Sequence, residues 1–160
     1  MVPVGVRERW TGPPDGMETR PVFRLFYDEG AGLGAALTAA LDVGRFPEDL
    51  PWDEAAVRDL LQTLCPGSGI FSLRGRRGVA YWCGLGPDAP VIVRAWRQFL
   101  AFSPRPQDSV VFLPVSVPRT RRWRRAERAW RERAEVDRAA KEAVGHVELW
   151  HQARLSVWPG

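Results

Sequence analysis

Hydrophobic positions along the chain change their spacing several times, and each change marks an element. Val22-Phe23-Arg24-Leu25-Phe26-Tyr27 is a short β-prone run. Gly30, Gly32 and Gly34 follow, then the alanine-rich stretch 35–41 with Gly44 as a stop, which predicts strand, glycine loop and helix. Asp53 suits the N-cap of a second helix, in which Ala56, Val57, Leu60, Leu61 and Leu64 recur at helical spacing until Pro66-Gly67. The apolar runs 70–73 and 79–83 flank Arg74-Gly75-Arg76-Arg77-Gly78, a connection of hairpin length, so they are expected to pair antiparallel. Asp88 and Pro90 open a third helix whose stripe is Val91, Ala95, Trp96, Phe99 and Leu100. Val110-Val111-Phe112-Leu113 is continuously apolar, the pattern of a central strand covered on both faces. Pro118 and Thr120 lead into one long charged helix over 121–144, closed by Gly145. Residues 147–157 then alternate with a period of two, as a final edge strand does.

The predicted order β-α-α-β-β-α-β-α-β defines an α/β fold: a three-layer mixed sheet flanked by helices, with a local β-hairpin and a long C-terminal charged helix. Residues 1–20, punctuated by Pro3, Gly5, Gly12, Pro13, Pro14 and Gly16, read as a loose N-terminal arm, leaving 21–160 as a single α/β domain. The most apolar stretch, 31–41, is too short to span a bilayer, and the first ten residues lack a signal-type apolar core. Cys65 and Cys83 supply neither a disulfide framework nor a CxxC pair, so each is expected to be a structural thiol. His146 and His151, five apart, share no helical or strand face, and no metal site is expected. A cytoplasmic protein is the expectation.

Charge changes the picture through its distribution. The net charge is +4, from 23 Lys+Arg against 19 Asp+Glu, yet 119–142 holds ten basic and five acidic residues, a local +5 that leaves −1 for the rest. Arg119, Arg121, Arg122, Arg124 and Arg125 stand at a predicted helix start with no acid among them. There they oppose the macrodipole by ~0.3–1 kcal/mol each, a cost that a bound polyanion would offset. Trp123 and Trp130, seven apart, offer a stacking surface for bases, or else belong with Ala126, Ala140 and Val144 to a stripe that docks on the sheet. Glu127 with Arg131 and Asp137 with Lys141 form i,i+4 pairs that suit a solvated helix face. Arg74, Arg76 and Arg77 at the hairpin tip either extend a basic surface or form an ordinary soluble turn.

The first candidate for chemistry is Asp28-Glu29-Gly30-Ala31-Gly32-Leu33-Gly34, where bare backbone amides between a strand and a helix N-terminus can cradle an anion. The same glycines equally permit a tight turn and close helix packing, and their spacing matches neither a phosphate-binding Walker loop nor the dinucleotide fingerprint. Asp28 or Glu29 is alternatively a general base or cation ligand. No Ser/His/Asp set and no HExxH is present, so no catalytic residues or cofactor are assigned. The candidate binding set is therefore Asp28, Glu29, Gly30, Gly32, Gly34, Arg119, Arg121, Arg122 and Arg125, for a small phosphorylated or otherwise anionic ligand at the carboxyl edge of the sheet. The alternative is a nucleic-acid or protein adaptor that uses the basic helix without catalysis.

The stretch 26–47, with Gly84-Leu85-Gly86, Val91-Ile92-Val93-Arg94-Ala95-Trp96 and the strand near Val110, resembles the bacterial family called domain of unknown function 3189 over roughly 21–120. The resemblance implies a first loop with a cysteine, Gly-Gly, a histidine and serines, suited to phosphate or thiol chemistry. Here Asp28 stands at the cysteine position, Leu33 at the histidine and Gly34 at the first serine.

Overall fold

The computed structural model describes residues 23–46, 53–64, 66–102, 110–133 and 135–146. The expected N-terminal arm, Cys65 and the final strand at 147–157 lie outside them. Within them the chain runs β1 (Phe23–Asp28), α1 (Leu33–Asp42), α2 (Glu54–Thr63), β2 (Phe71–Gly75), β3 (Gly78–Gly84), α3 (Ala89–Ala101), β4 (Val110–Val115), α4 (Arg121–Arg131) and α5 (Val136–Gly145). The sheet is mixed, in the order β2-β3-β1-β4. β1 lies parallel to both neighbours, Phe26 opposite Trp82 on β3 and opposite Leu113 on β4. β2 and β3 form the expected antiparallel hairpin, Leu73 opposite Ala80.

The capping expected of Asp53 is present, and Thr120 caps a second helix start. Asp53 accepts the Ala55 amide at 3.2 Å, and the Thr120 hydroxyl accepts the Trp123 amide at 3.1 Å. Strand pleating sends Phe26 and Trp82 to one face of the sheet. There they join Leu33, Leu37, Val57, Leu61, Trp123, Trp130 and Ala140 in one continuous core. The tryptophan stripe is thus core: Trp130 lies 5.9 Å from Trp82, and its indole nitrogen donates to the Leu61 carbonyl at 3.4 Å.

Four expectations are corrected. The apolar run of β4 is not covered on both faces, since Val111 is exposed; an apolar run does not by itself report which of its side chains a neighbouring layer reaches. The charged segment is two helices, the first ending at Arg131 and the second starting at Val136, with Arg133 between them at φ 57°. The Arg133 guanidinium donates to the Leu61 carbonyl at 3.0 Å, and the reversal lays both Trp130 and Ala139 on the core, which one straight rod would not reach. Trp123 meets His146 with ring centroids 5.3 Å apart, so α4 and α5 run antiparallel. On α3 the stripe does not face inward: Val91 is 65% and Phe99 76% exposed, while Ala89 and Val93 are buried. Trp96 instead stacks on Phe112 of β4 at 6.1 Å. Finally, the pairs Glu127–Arg131 and Asp137–Lys141 are replaced by tertiary ones, since Glu127 is buried and Asp137 reaches Arg58 at 2.7 Å.

Candidate functional site

The glycine loop joins β1 to α1 as its sequence predicts, but its amides serve the chain itself. The Asp28 carboxylate, at the end of β1, turns back into the loop. Oδ1 accepts the amides of Gly30 at 2.9 Å and Gly32 at 3.0 Å, and Oδ2 accepts that of Ala35 at 2.9 Å. Ala31 donates to Oε1 of Glu127 at 3.2 Å, across 96 residues of sequence. The nest that could hold an anion therefore already holds two carboxylates, both buried. Close backbone contact seals it. Gly32 sits at φ 98°, and a β-carbon on Gly84 would fall 2.3 Å from the Ala31 carbonyl carbon.

Burial sets the protonation of these groups. It pushes the Asp28 carboxyl above the ordinary carboxylate range, against the pull of the Ala35, Gly30, Gly32 and Gly34 amides. Glu127 is raised to about 7, by burial first and the nearby Asp28 charge second, while the amides of Ala31 and Leu33 draw it back. Burial and Asp28 together raise the Cys83 thiol to about 11, leaving a free, buried, protonated cysteine at the end of β3. Among the described residues no group of three or more His, Cys, Asp or Glu side chains is placed to hold a metal, and no helix is long and apolar enough to cross a membrane.

The structure separates the remaining candidates into two places. At the carboxyl ends of β1 and β4 a cleft of about 260 Å³ is lined by Tyr27, Asp28, Glu29, Ser116 and Arg119, with Pro90, Pro114 and Val117 among its apolar walls. Arg119 pairs there with Glu29 at 3.7 Å. Arg122 and Arg125 line a different groove, of about 760 Å³, shared with Arg138, Lys141, Glu142 and His146 of the α5 region. Arg121 is exposed and lines neither. The glycine loop thus meets the arginine helix through Glu127 and the segment before that helix through Arg119, while Gly30, Gly32 and Gly34 are occupied by internal hydrogen bonds and packing.

The hairpin arginines have a structural task at the opposite edge of the sheet. Arg76 donates to the Gly44 carbonyl at 3.1 Å and Arg77 to that of Asp42 at 3.0 Å, capping the negative end of α1. Sequence reasoning missed Glu127, Ser116, Arg138 and Lys141. Glu127 carried a readable signal: it lies four residues after Trp123 and three before Trp130, a charge inside the buried stripe.

These features define an α/β protein with a filled glycine loop, a small cleft at the carboxyl edge of its sheet and a separate basic groove. No family model, no curated protein and no solved structure matches the chain.

Proposed function

We propose that this protein binds a small anionic ligand in the cleft at the carboxyl ends of β1 and β4, with Arg119 as the counter-charge. The observation that carries this is the position of the Arg119 guanidinium. It lines a cleft together with Tyr27, Ser116 and the carboxylates of Asp28 and Glu29, at the carboxyl edge of the sheet, where open α/β folds place ligands. The Arg119–Glu29 pair is exposed on both sides, so it holds the guanidinium weakly and yields to a better anion. One arginine beside Glu29 and the buried Asp28 favours a singly charged group, a carboxylate or phosphate monoanion, over a dianion. The glycine amides take no part. The resembled family's cysteine, histidine and serine positions hold Asp28, Leu33 and Gly34, so the role is binding without thiol chemistry. This reading takes the domain to be three-layered, with α3 on the face opposite α1, and cytoplasmic, where a free thiol such as Cys83 is at home.

A thermal-shift series with inorganic phosphate, phosphomonoesters and small carboxylates tests it. At least one anion is expected to raise the melting temperature of the wild type. Arg119→Gln should abolish that shift, and Glu29→Gln should enlarge it by removing the resident competitor. A shift that survives Arg119→Gln but disappears in Arg122→Gln/Arg125→Gln would move the ligand to the other groove and overturn the reading.

A further inference from the structure

The groove between α4 and α5 is the most strongly charged surface among the described residues that the cleft does not use. Arg122 and Arg125, three apart, stand on one side, and Arg138 and Lys141, also three apart, on the other. Among the described residues Glu142 is the single carboxylate in the lining. It is committed to Arg122 at 3.5 Å and to His146 at 3.0 Å. Arg138 also pairs with Glu135 at 3.1 Å, just outside the lining, so four cations against two carboxylates leave a local +2 with the histidine neutral.

We propose that this groove docks the phosphate backbone of a nucleic acid, held by charge and without base stacking. Among the described residues its lining contains no apolar side chain. A protein partner would therefore find no pocket for the buried aromatic or aliphatic anchor that carries most interface energy. At about 760 Å³, it is larger than one small anion fills. Trp123 and Trp130 of α4 are 1% and 0% exposed, so bases have no tryptophan platform on that helix. What remains is two rows of guanidinium and ammonium groups on antiparallel helices, with Arg121, Arg124 and Arg128 also exposed along α4. Such an array positions a polyphosphate chain and reads no sequence. Arg119 belongs to the cleft, so this groove and the small-ligand site are separable by mutation.

Fluorescence anisotropy of labelled oligonucleotides with the full chain, from about 50 mM to about 200 mM salt, reads the contact directly. Four phosphate contacts give a log–log salt slope of roughly −3 on a single strand and roughly −4 on a duplex. Arg122→Gln/Arg125→Gln should make the slope shallower by roughly 1.5 to 2 and weaken binding at least tenfold at the lowest salt, with the melting temperature unchanged. Lys141→Gln should make it shallower by roughly one. Glu142→Gln should tighten binding several-fold, and oligonucleotides of different sequence should bind alike. Absence of binding at the lowest salt, a slope that the arginine and lysine variants leave untouched, or tighter binding of a poly-glutamate peptide than of the oligonucleotides would each overturn the proposal.

Discussion

The glycine loop and the arginine groove both look, in sequence, like places for an anion, and the structure treats them oppositely. In the loop, Asp28 and Glu127 occupy the amides of Gly30, Ala31, Gly32 and Ala35. In the groove, four cations meet two carboxylates among the described residues, Glu142 and Glu135, and remain in surplus. The difference is distance from water. Amides in a dry interior cost so much when unpaired that the fold must bring its own acceptors, whereas exposed guanidinium groups are satisfied by solvent and can wait for a partner. A positively polarised feature is open to a ligand only when the chain's own anions do not use up its charge.

The largest test of this contrast is Asp28→Ala, which strands three amides at once. It should cost about 3–5 kcal/mol in urea unfolding, with the slope of the transition unchanged. A loss below about 1 kcal/mol would mean that the loop is satisfied some other way and the contrast fails.

The second test is pH. Glu127 is raised from 4.5 to about 7 in the folded chain. A group bound more tightly to its proton in the folded state stabilises that state fully below about pH 4.5, and the contribution is lost as the pH rises through about 7. Stability should therefore fall by roughly 3 kcal/mol between acid and mildly alkaline pH, and Asp28, also raised, acts in the same direction. Glu127→Gln should flatten the profile. Denaturant midpoints at pH 5 and pH 8 for both proteins check this; equal midpoints in the wild type would remove Glu127 from the loop's electrostatics.

Gly84→Ala probes the seal between the loops. The added β-carbon meets the backbone of Ala31 and Gly32, both at 2.3 Å, and backbone cannot rotate away, so a loss of about 1–3 kcal/mol is expected in the same unfolding assay. A neutral result would show that the two loops separate readily.

The smallest effect is expected in the groove. Arg122→Gln with Arg125→Gln should shift stability by no more than about 0.5 kcal/mol, since the Arg122–Glu142 pair is exposed on its arginine side and the arginines oppose the helix dipole. A drop of several degrees in melting temperature would make these arginines structural and erase the contrast from the other side.

Local structure was readable because it depends on near neighbours. The strand before Gly30, the N-cap at Asp53, the hairpin around Gly75 and Gly78 and the tryptophan stripe all follow from periodicity, capping and turn chemistry within a few residues. The break at Arg133 was not readable, because the segment has no Gly or Pro there and reversal is driven by the core that Ala139 and Ala140 join. The α3 stripe misled for the converse reason: its 3.6-residue period is present, but the sheet took the neighbouring face with Ala89 and Val93.

The sequence by itself determined the α/β class, the placement of glycines between a strand and a helix, and the concentration of positive charge after Arg119. Only the tertiary structure decided which of these positive features stays open. Glu127 reaches Ala31 because α4 packs against the first loop, and Arg138 joins Arg122 because the chain reverses at Arg133. Neither distance exists along the chain: hydrogen bonds and fields act over a few ångströms of space, and packing alone determines which residues are that close.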